Sequence, residues 1–266
     1  NNASLPSTNT NKFQNGRDAF HRWVRTQLTE NKSYAEMART LISAAGENSY
    51  EQGELNWLVN GRQPNGPVQD TYDRTAAQTA ETFLGVSHMD CILCHDGRGH
   101  LDSLSLWGRN AKRTQAWGMA AYFAKTALNT VRVDPANQNP FYWRIVDQTN
   151  NNEYNLNTTF GNRPNRQPIG TTRAVTPAYF SNGKAAQRGV PYRQQLAAEV
   201  TADPLFAMAT VNYVWREFFT RGLVEPANQL DPARLGPDNP PQDCPQRTPC
   251  ELQASHPRLL KDLAGD

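Results

Sequence analysis

The sequence contains little of what marks several common protein classes. Its 266 residues include only four cysteines, four methionines and five histidines, and 27 Lys and Arg nearly balance 25 Asp and Glu. A net charge of +2 is too small to indicate a nucleic-acid or anionic-membrane partner. Apolar runs stay well short of the about 20 residues that cross a bilayer. We therefore expect a soluble globular protein of one large or two small domains, with no transmembrane segment and no nucleic-acid partner.

The beginning of the chain shows no signal-peptide pattern. It opens with Asn1, and no charged segment followed by an apolar one precedes the first predicted helix. We therefore treat the sequence as mature or partial. Residues 1–16 are polar and without periodicity, so we expect an arm that lies on the surface or is partly disordered.

Two helical patterns follow this arm. Apolar residues recur at helical spacing from residue 17 to residue 30, which predicts one amphipathic helix. Ser33 and Glu36 then form a capping-box pattern, in which each side chain bonds to the other residue's backbone N–H at the start of a helix. The sequence therefore predicts two adjacent helices here.

Two more helices are predicted around a cysteine-containing segment. The first begins near Asp70 or Asp73, either of which can act as N-cap, and ends at Gly85 just before the cysteines. The second covers about residues 113–128, where aromatic and small residues share one face. We therefore expect one helix to lead into the cysteine segment and another to follow it.

The remainder of the chain changes character twice. Residues 129–176 are rich in Asn and Gln, and the run FYWRIV at 141–146 favours a β-strand, so we expect a hairpin or irregular segment. Helical patterns return at 192–200 and 204–221. The predicted fold class is mainly α, with four regions: a polar arm (1–16), a helical domain (17–128), a β or irregular connection (129–176) and a second helical domain (177–266).

The strongest chemical pattern is Cys91-Ile92-Leu93-Cys94-His95, a C-x-x-C-H sequence typical of c-type haem attachment. Two thiols one helical turn apart can add to the two vinyl groups of one porphyrin, and the adjacent histidine can reach the iron. The composition of this chain predicts roughly 0.001 chance occurrences of the pattern. The motif therefore predicts one covalent haem c in the 17–128 domain, with His95 as the proximal iron ligand.

Two other interpretations of the motif stay open. Cys91, Cys94 and His95 could supply three ligands of a zinc site, but adjacent Cys and His residues do not easily bind one tetrahedral metal, and there is no second C-x-x-C pair. A thioredoxin-like redox pair would need a strand before the motif, where a helix is predicted. Both interpretations are weaker than haem attachment.

The sixth iron ligand is less well defined by the sequence. We favour Met119, because thioether ligation is usual in electron-transfer haems, although a methionine on an apolar helix is ordinarily a gap-filling core residue. His100 is the second choice. It follows His95 by only five residues, so we expect it on the proximal side, where it could bind a haem propionate. A vacant sixth site would instead favour small-ligand binding or peroxide chemistry.

The other two cysteines lie in a Pro-rich loop, DCPQRTPC. A disulfide between Cys244 and Cys250 would staple a segment that has little core of its own. Disulfides and covalent haem both point to a compartment outside the cytoplasm.

Seven stretches of the chain form an ordered series over about residues 17–265. The first three are RDAFHRWVRTQLTENKSYAEMARTLI, TAETFLGVSHMDCILCHDGRGH and WGMAAYFAKT, and the others are VTPAYFSNGK, PYRQQLAAEV, DPLFAMATVNYVWREFFTRGLVEP and SHPRLLKDLA. This series resembles the planctomycete-type cytochrome c proteins, in which two paired, uncharacterised domains follow one another.

The resemblance implies a mostly helical, secreted or periplasmic bacterial protein with one haem c on Cys91, Cys94 and His95, and no settled activity. Such proteins extend further at both ends, so we expect a cleaved, shortened or partial form. They also often have a second histidine two residues after the motif histidine, where this chain has Gly97.

Taken together, these features predict a monohaem c-type cytochrome that passes single electrons to a redox partner protein in the periplasm or outside the cell. It could also belong to a larger homo- or hetero-oligomer. One alternative is a haem enzyme, a peroxidase or oxidoreductase with an open iron site. The other is a structural subunit of an extracellular complex or filament.

Overall fold

The computed structural model describes residues 10–136, 140–149, 153–242 and 244–265, with the backbone alone for 10–14. The fold is mainly α, as predicted. The helices are α1 Thr10–Thr29, α2 Tyr34–Ser43, α3 Asn56–Asn60, α4 Val68–Leu84, α5 Met89–Ile92, α6 Leu106–Asn110, α7 Arg113–Ala121, α8 Tyr192–Ala202, α9 Pro204–Phe219 and α10 Pro257–Gly265. The strands are β1 Thr126–Arg132, β2 Phe141–Asp147, β3 Tyr154–Asn155 and β4 Ala174–Val175.

Helix α1 begins earlier than the sequence pattern predicts. It starts at Thr10, so residues 10–16 of the predicted polar arm are helical. A helix that has nucleated gains one backbone hydrogen bond for each added residue, and this propagation does not require an apolar periodicity. Residues 1–9 of the predicted arm lie outside the described residues.

Several helix ends follow from local sequence chemistry. Ser33 accepts a hydrogen bond from the backbone N–H of Glu36 (3.2 Å), and the Glu36 carboxylate accepts one from the backbone N–H of Ser33 (3.1 Å). The predicted capping box is therefore confirmed. Helix α4 ends at Gly85, whose φ of +69° is the left-handed conformation that glycine tolerates. At α9, Asp203 accepts from the N–H of Leu205 (2.9 Å) as the N-cap.

The predicted helix over 113–128 is correct only in its first half. Helix α7 ends at Ala121, and β1 pairs antiparallel with β2, with Thr126 opposite Asp147 and Arg132 opposite Phe141. Strand β2 confirms the strand predicted from FYWRIV. The β-branched residues of β1 gain a cross-strand partner in this run, and this tertiary pairing overrides the weak helical pattern.

One hydrophobic core contains residues from both predicted helical domains. It extends from Ala38 to Leu260 and includes Phe83 of α4 and Ala209 of α9. Helix α4 packs against α5, α7 and α9, so it links the cysteine segment to the C-terminal helices. Within the described ranges, no helix combines the length and apolarity needed to cross a bilayer.

The predicted disulfide is present. Cys244 and Cys250 are bonded to each other, in the irregular segment between α9 and α10. Disulfides are typical of proteins that fold outside the reducing cytoplasm. The bond therefore indicates a compartment outside the cytoplasm.

Candidate functional site

The motif, residues 91–95, begins at the end of the short helix α5, which contains Cys91 and Ile92, and continues into a turn. The N–H of Cys94 donates to the carbonyl of Cys91 (3.0 Å), which keeps the two cysteines on one turn. Ile92 and Leu93 point into the core and are 1% and 0% exposed. The cysteines and His95 are each partly exposed on the outer side of this turn, and Cys91 also packs against the hydrophobic core.

Both motif cysteines are thiols in this structure. Burial, followed by the charge of the adjacent Asp90, raises the pKa of the Cys91 thiol. Two neighbouring thiols on one turn fit the covalent attachment of one porphyrin.

The ring of His95 is oriented by its own chain. Its Nδ1 lies 2.9 Å from the carbonyl oxygen of Asp96. A carbonyl only accepts, so Nδ1 must carry the proton and donate, which leaves the lone pair on Nε2. A backbone carbonyl that fixes the tautomer in this way is a common partner of a metal-binding histidine. His95 therefore fits the role of the proximal iron ligand.

His100 packs against His95, with 3.9 Å between the ring centroids. This spacing is ordinary van der Waals contact, typically about 3.5–4.0 Å between carbon atoms, so no porphyrin plane fits between the rings. His100 therefore lies beside His95, and its propionate-binding and iron-ligating roles both stay predictions.

Met119 lies in α7 and is fully buried in the hydrophobic core. Its neighbour Trp117 is also buried, and the guanidinium of Arg113 stacks on the Trp117 ring at 4.5 Å. A buried methionine of this kind fills space between packed helices. Iron ligation by Met119 stays a prediction.

Gly97 occupies a position where no side chain fits. A Cβ there would lie only 1.6 Å from the carbonyl oxygen of Gly108, and the N–H of Gly97 donates to the carbonyl of Ala111 (3.0 Å). The backbone after the motif therefore packs directly against α6, without room for a side chain between them. A side chain at position 97, including a histidine, would therefore clash with the Gly108 carbonyl.

Asp96 ties the motif to the start of α7. Its carboxylate accepts from the backbone N–H of Arg113 (2.8 Å) and from the ammonium of Lys112 (3.2 Å). These bonds, the backbone bond first, lower the pKa of Asp96. The same residue thus holds His95 through its carbonyl and α7 through its carboxylate.

Sequence reasoning missed a polar cluster on the inner side of the motif, although it named two of its members, Asp70 and Asp73, as N-cap candidates. We call it the ion cluster, and it consists of the charged residues Asp70, Asp73, Arg163 and Arg166 together with the hydroxyl of Tyr154.

The centre of the ion cluster is fully buried. Arg166 donates to Asp70 (2.7 Å), Asp73 (2.6 Å) and the hydroxyl of Tyr154 (2.7 Å), and Tyr154 donates to Asp73 (2.7 Å). Burial raises the pKa of Asp73, and burial alone would lower that of Arg166, but the charge of Asp73 raises it above its ordinary value. Every charge here has a partner of opposite sign, as buried ions require.

Arg163 joins the ion cluster to the motif. Its Nη1 donates to the sulfur of Cys94 (3.2 Å), its Nη2 donates to the carboxylate of Asp90 (2.5 Å), and its Nε lies 3.5 Å from the carboxylate of Asp73. Its side chain is only 11% exposed.

The loop that carries Arg163 is held in place from a second direction. Arg113 donates to the carbonyls of Pro164 (2.6 Å), Asn165 (3.0 Å) and Leu93 (2.9 Å). One guanidinium therefore fixes both the loop and the middle of the motif. The position of Arg163 relative to Cys94 is set by these contacts as well as by its own.

Neither Asp70 nor Asp73 is the N-cap that the sequence suggested. Helix α4 begins at Val68, with Pro67 at the cap position, so both aspartates lie inside the helix. Carboxylates three residues apart on a helix face that is otherwise apolar need a buried cation. That pattern is the sequence signal that could have indicated the cluster.

The weaker interpretations of the motif gain no support. Over the described ranges, no three His, Cys, Asp or Glu side chains are grouped so that they could hold a metal ion, as a zinc site would require. The motif begins within helix α5, and helix α4 precedes α5, where a thioredoxin-like pair would have a strand.

Residues 2–128 match the sequence model of a family described as PSCyt2, a protein of unknown function (DUF1549). The match spans the region of the first predicted helical domain, including the motif. No curated protein and no solved structure matches the chain.

Proposed function

We propose that this protein is a monohaem c-type cytochrome that transfers single electrons outside the cytoplasm. The observation that carries the proposal is the motif turn, where two partly exposed thiols stand beside a histidine whose Nε2 is available. The match to the PSCyt2 family over residues 2–128 is consistent with it.

Each motif residue has a distinct role in this proposal. Cys91 and Cys94 would hold the haem through thioether bonds, and His95 would bind the iron through Nε2. Haem c, when bound, supplies a one-electron redox couple. The protein's own contribution is to orient His95 through the Asp96 carbonyl and to exclude water on the inner side with the buried Leu93.

The compartment follows from the same chemistry. Covalent haem attachment and the Cys244–Cys250 disulfide both belong outside the reducing cytoplasm. We propose a secreted or periplasmic bacterial protein that meets a redox partner protein there.

The test uses the two cysteine pairs as matched variants. The chain is exported in a host that attaches haem c, and covalent haem is measured by pyridine haemochrome and by the mass of the intact protein. We expect one haem per chain, lost when Cys91 and Cys94 are both changed to Ala. The control, Cys244→Ala with Cys250→Ala, should keep its haem. A wild-type chain without haem would refute the proposal.

A further inference from the structure

Arg163 contacts the motif and also a buried carboxylate of the ion cluster. Its guanidinium donates to the sulfur of Cys94 (3.2 Å) and the carboxylate of Asp90 (2.5 Å), and it approaches Asp73 at 3.5 Å. The side chain is 11% exposed, so water screens its charge only weakly. A charge in this position changes the electrostatic potential at whatever is bonded to Cys94.

The charges around this point are nearly balanced. The carboxylates of Asp70, Asp73 and Asp90 face the guanidiniums of Arg163 and Arg166. The Arg113 guanidinium, bonded to Leu93 and to the loop that carries Arg163, is a third cation nearby. Loss of the Arg163 charge would therefore make the surroundings of the motif more negative, and loss of the Asp90 charge would make them less negative. Negative charge favours the oxidised, more positive state of a redox group, and positive charge favours the reduced state.

We propose that Arg163 sets the reduction potential of the site, through its hydrogen bond to Cys94 and through the charge it places between the motif and Asp73. The inference rests on the function proposed above and deepens it. Arg163 is a positioning residue in this account, because it acts on the redox group through the Cys94 sulfur and through its electric field. Hydrogen bonds and burial around a redox site are known means of tuning its potential.

The test measures the midpoint potential of the haem-loaded protein by spectroelectrochemistry. Arg163→Gln should lower the potential, and Asp90→Asn should raise it. Arg163→Lys, which keeps the charge without the planar fork, should lie closer to wild type than Arg163→Gln. The matched control is Arg144→Gln, since Arg144 pairs with Glu47 at the surface and is 47% exposed. Its potential should equal that of wild type.

Opposite shifts from Arg163→Gln and Asp90→Asn support the proposal, because a merely structural role gives no such reversal of sign. An unchanged or higher potential in Arg163→Gln, with haem content equal to wild type, overturns this inference and leaves the proposed function standing. If Arg163→Gln does not fold, the potential of Asp90→Asn tests the inference instead. The Asp90 side chain is 51% exposed, so we expect this variant to fold. No rise in its potential overturns the inference. A wild-type chain without haem refutes both proposals.

Discussion

The two sides of the motif differ in burial and in how their polar groups are paired. On the outer side, Cys91, Cys94 and His95 are partly exposed, and His95 bonds within its own segment, whereas the Cys94 sulfur accepts a bond from Arg163 of the inner side. On the inner side, Arg166 and Asp73 are fully buried and bonded to partners far away in the chain. The outer side is suited to binding a group from outside, whereas the inner side is a fixed support. Changes on the two sides should therefore have different consequences.

The largest effect on stability should come from the inner side. Arg166→Ala leaves Asp70 and Asp73 buried without their main cation, which should cost about 3–5 kcal/mol in the free energy of unfolding. The control Arg144→Ala removes an exposed ion pair and should cost less than about 1 kcal/mol. Urea denaturation at neutral pH measures both. Equal losses in the two variants would contradict the distinction between a buried support and the surface.

The contact just beyond the motif should show the next largest effect. Gly97→Ala forces a Cβ against the Gly108 carbonyl, which should lower the free energy of unfolding by about 1–3 kcal/mol, as overpacking does. Gly236→Ala is the matched control, because a Cβ there meets nothing within 4 Å. Thermal denaturation of the two variants separates a local clash from a general glycine effect. Similar melting temperatures would mean that the backbone at Gly97 moves freely.

Met119 tests whether the core also supplies the sixth ligand. Met119→Leu is a volume-conserving change and should cost less than about 1.5 kcal/mol in stability. If Met119 binds iron, the change removes the Met-to-iron charge-transfer band in the near infrared, whereas Met208→Leu, in α9, retains it. A band that survives in Met119→Leu would assign Met119 to packing alone.

The smallest effect is expected on the outer side, at Asp96. Its pKa is lowered in the folded protein, so its bonds stabilise the fold above the pKa of the unfolded state, and this contribution is lost as pH falls through the lower, folded pKa. Its side chain is 49% exposed, which limits the contribution to less than about 1 kcal/mol. The stability difference between wild type and Asp96→Asn should therefore shrink on acidification. A difference that does not vary with pH would contradict this assignment.

Features set by neighbouring residues were predictable from the sequence. The capping box at Ser33, the helix end at Gly85, the strand at 141–146 and the Cys244–Cys250 bond each depend on a short segment, and each is confirmed. The C-x-x-C-H pattern could also be recognised from the sequence. The haem that it predicts is a proposal.

Features that depend on distant residues were not predictable in the same way. Arg163 and Arg166 lie in an irregular segment without periodicity, and their partners Asp70 and Asp73 are more than 85 residues away in the sequence. The end of α7 at Ala121 was missed for a similar reason, because only the pairing with β2 favours a strand after it. These features depend on contacts between residues far apart in the chain, and the local pattern of a single sequence does not indicate such contacts.

The most direct test of the central claim is a reductive titration of the native protein, followed by its visible absorption spectrum. We expect a haem c spectrum that converts reversibly between oxidised and reduced forms in a single one-electron step. We also expect this spectrum to disappear when Cys91 and Cys94 are replaced by Ala. A wild-type protein with no haem absorption, or with haem that cannot be reversibly reduced, would contradict it.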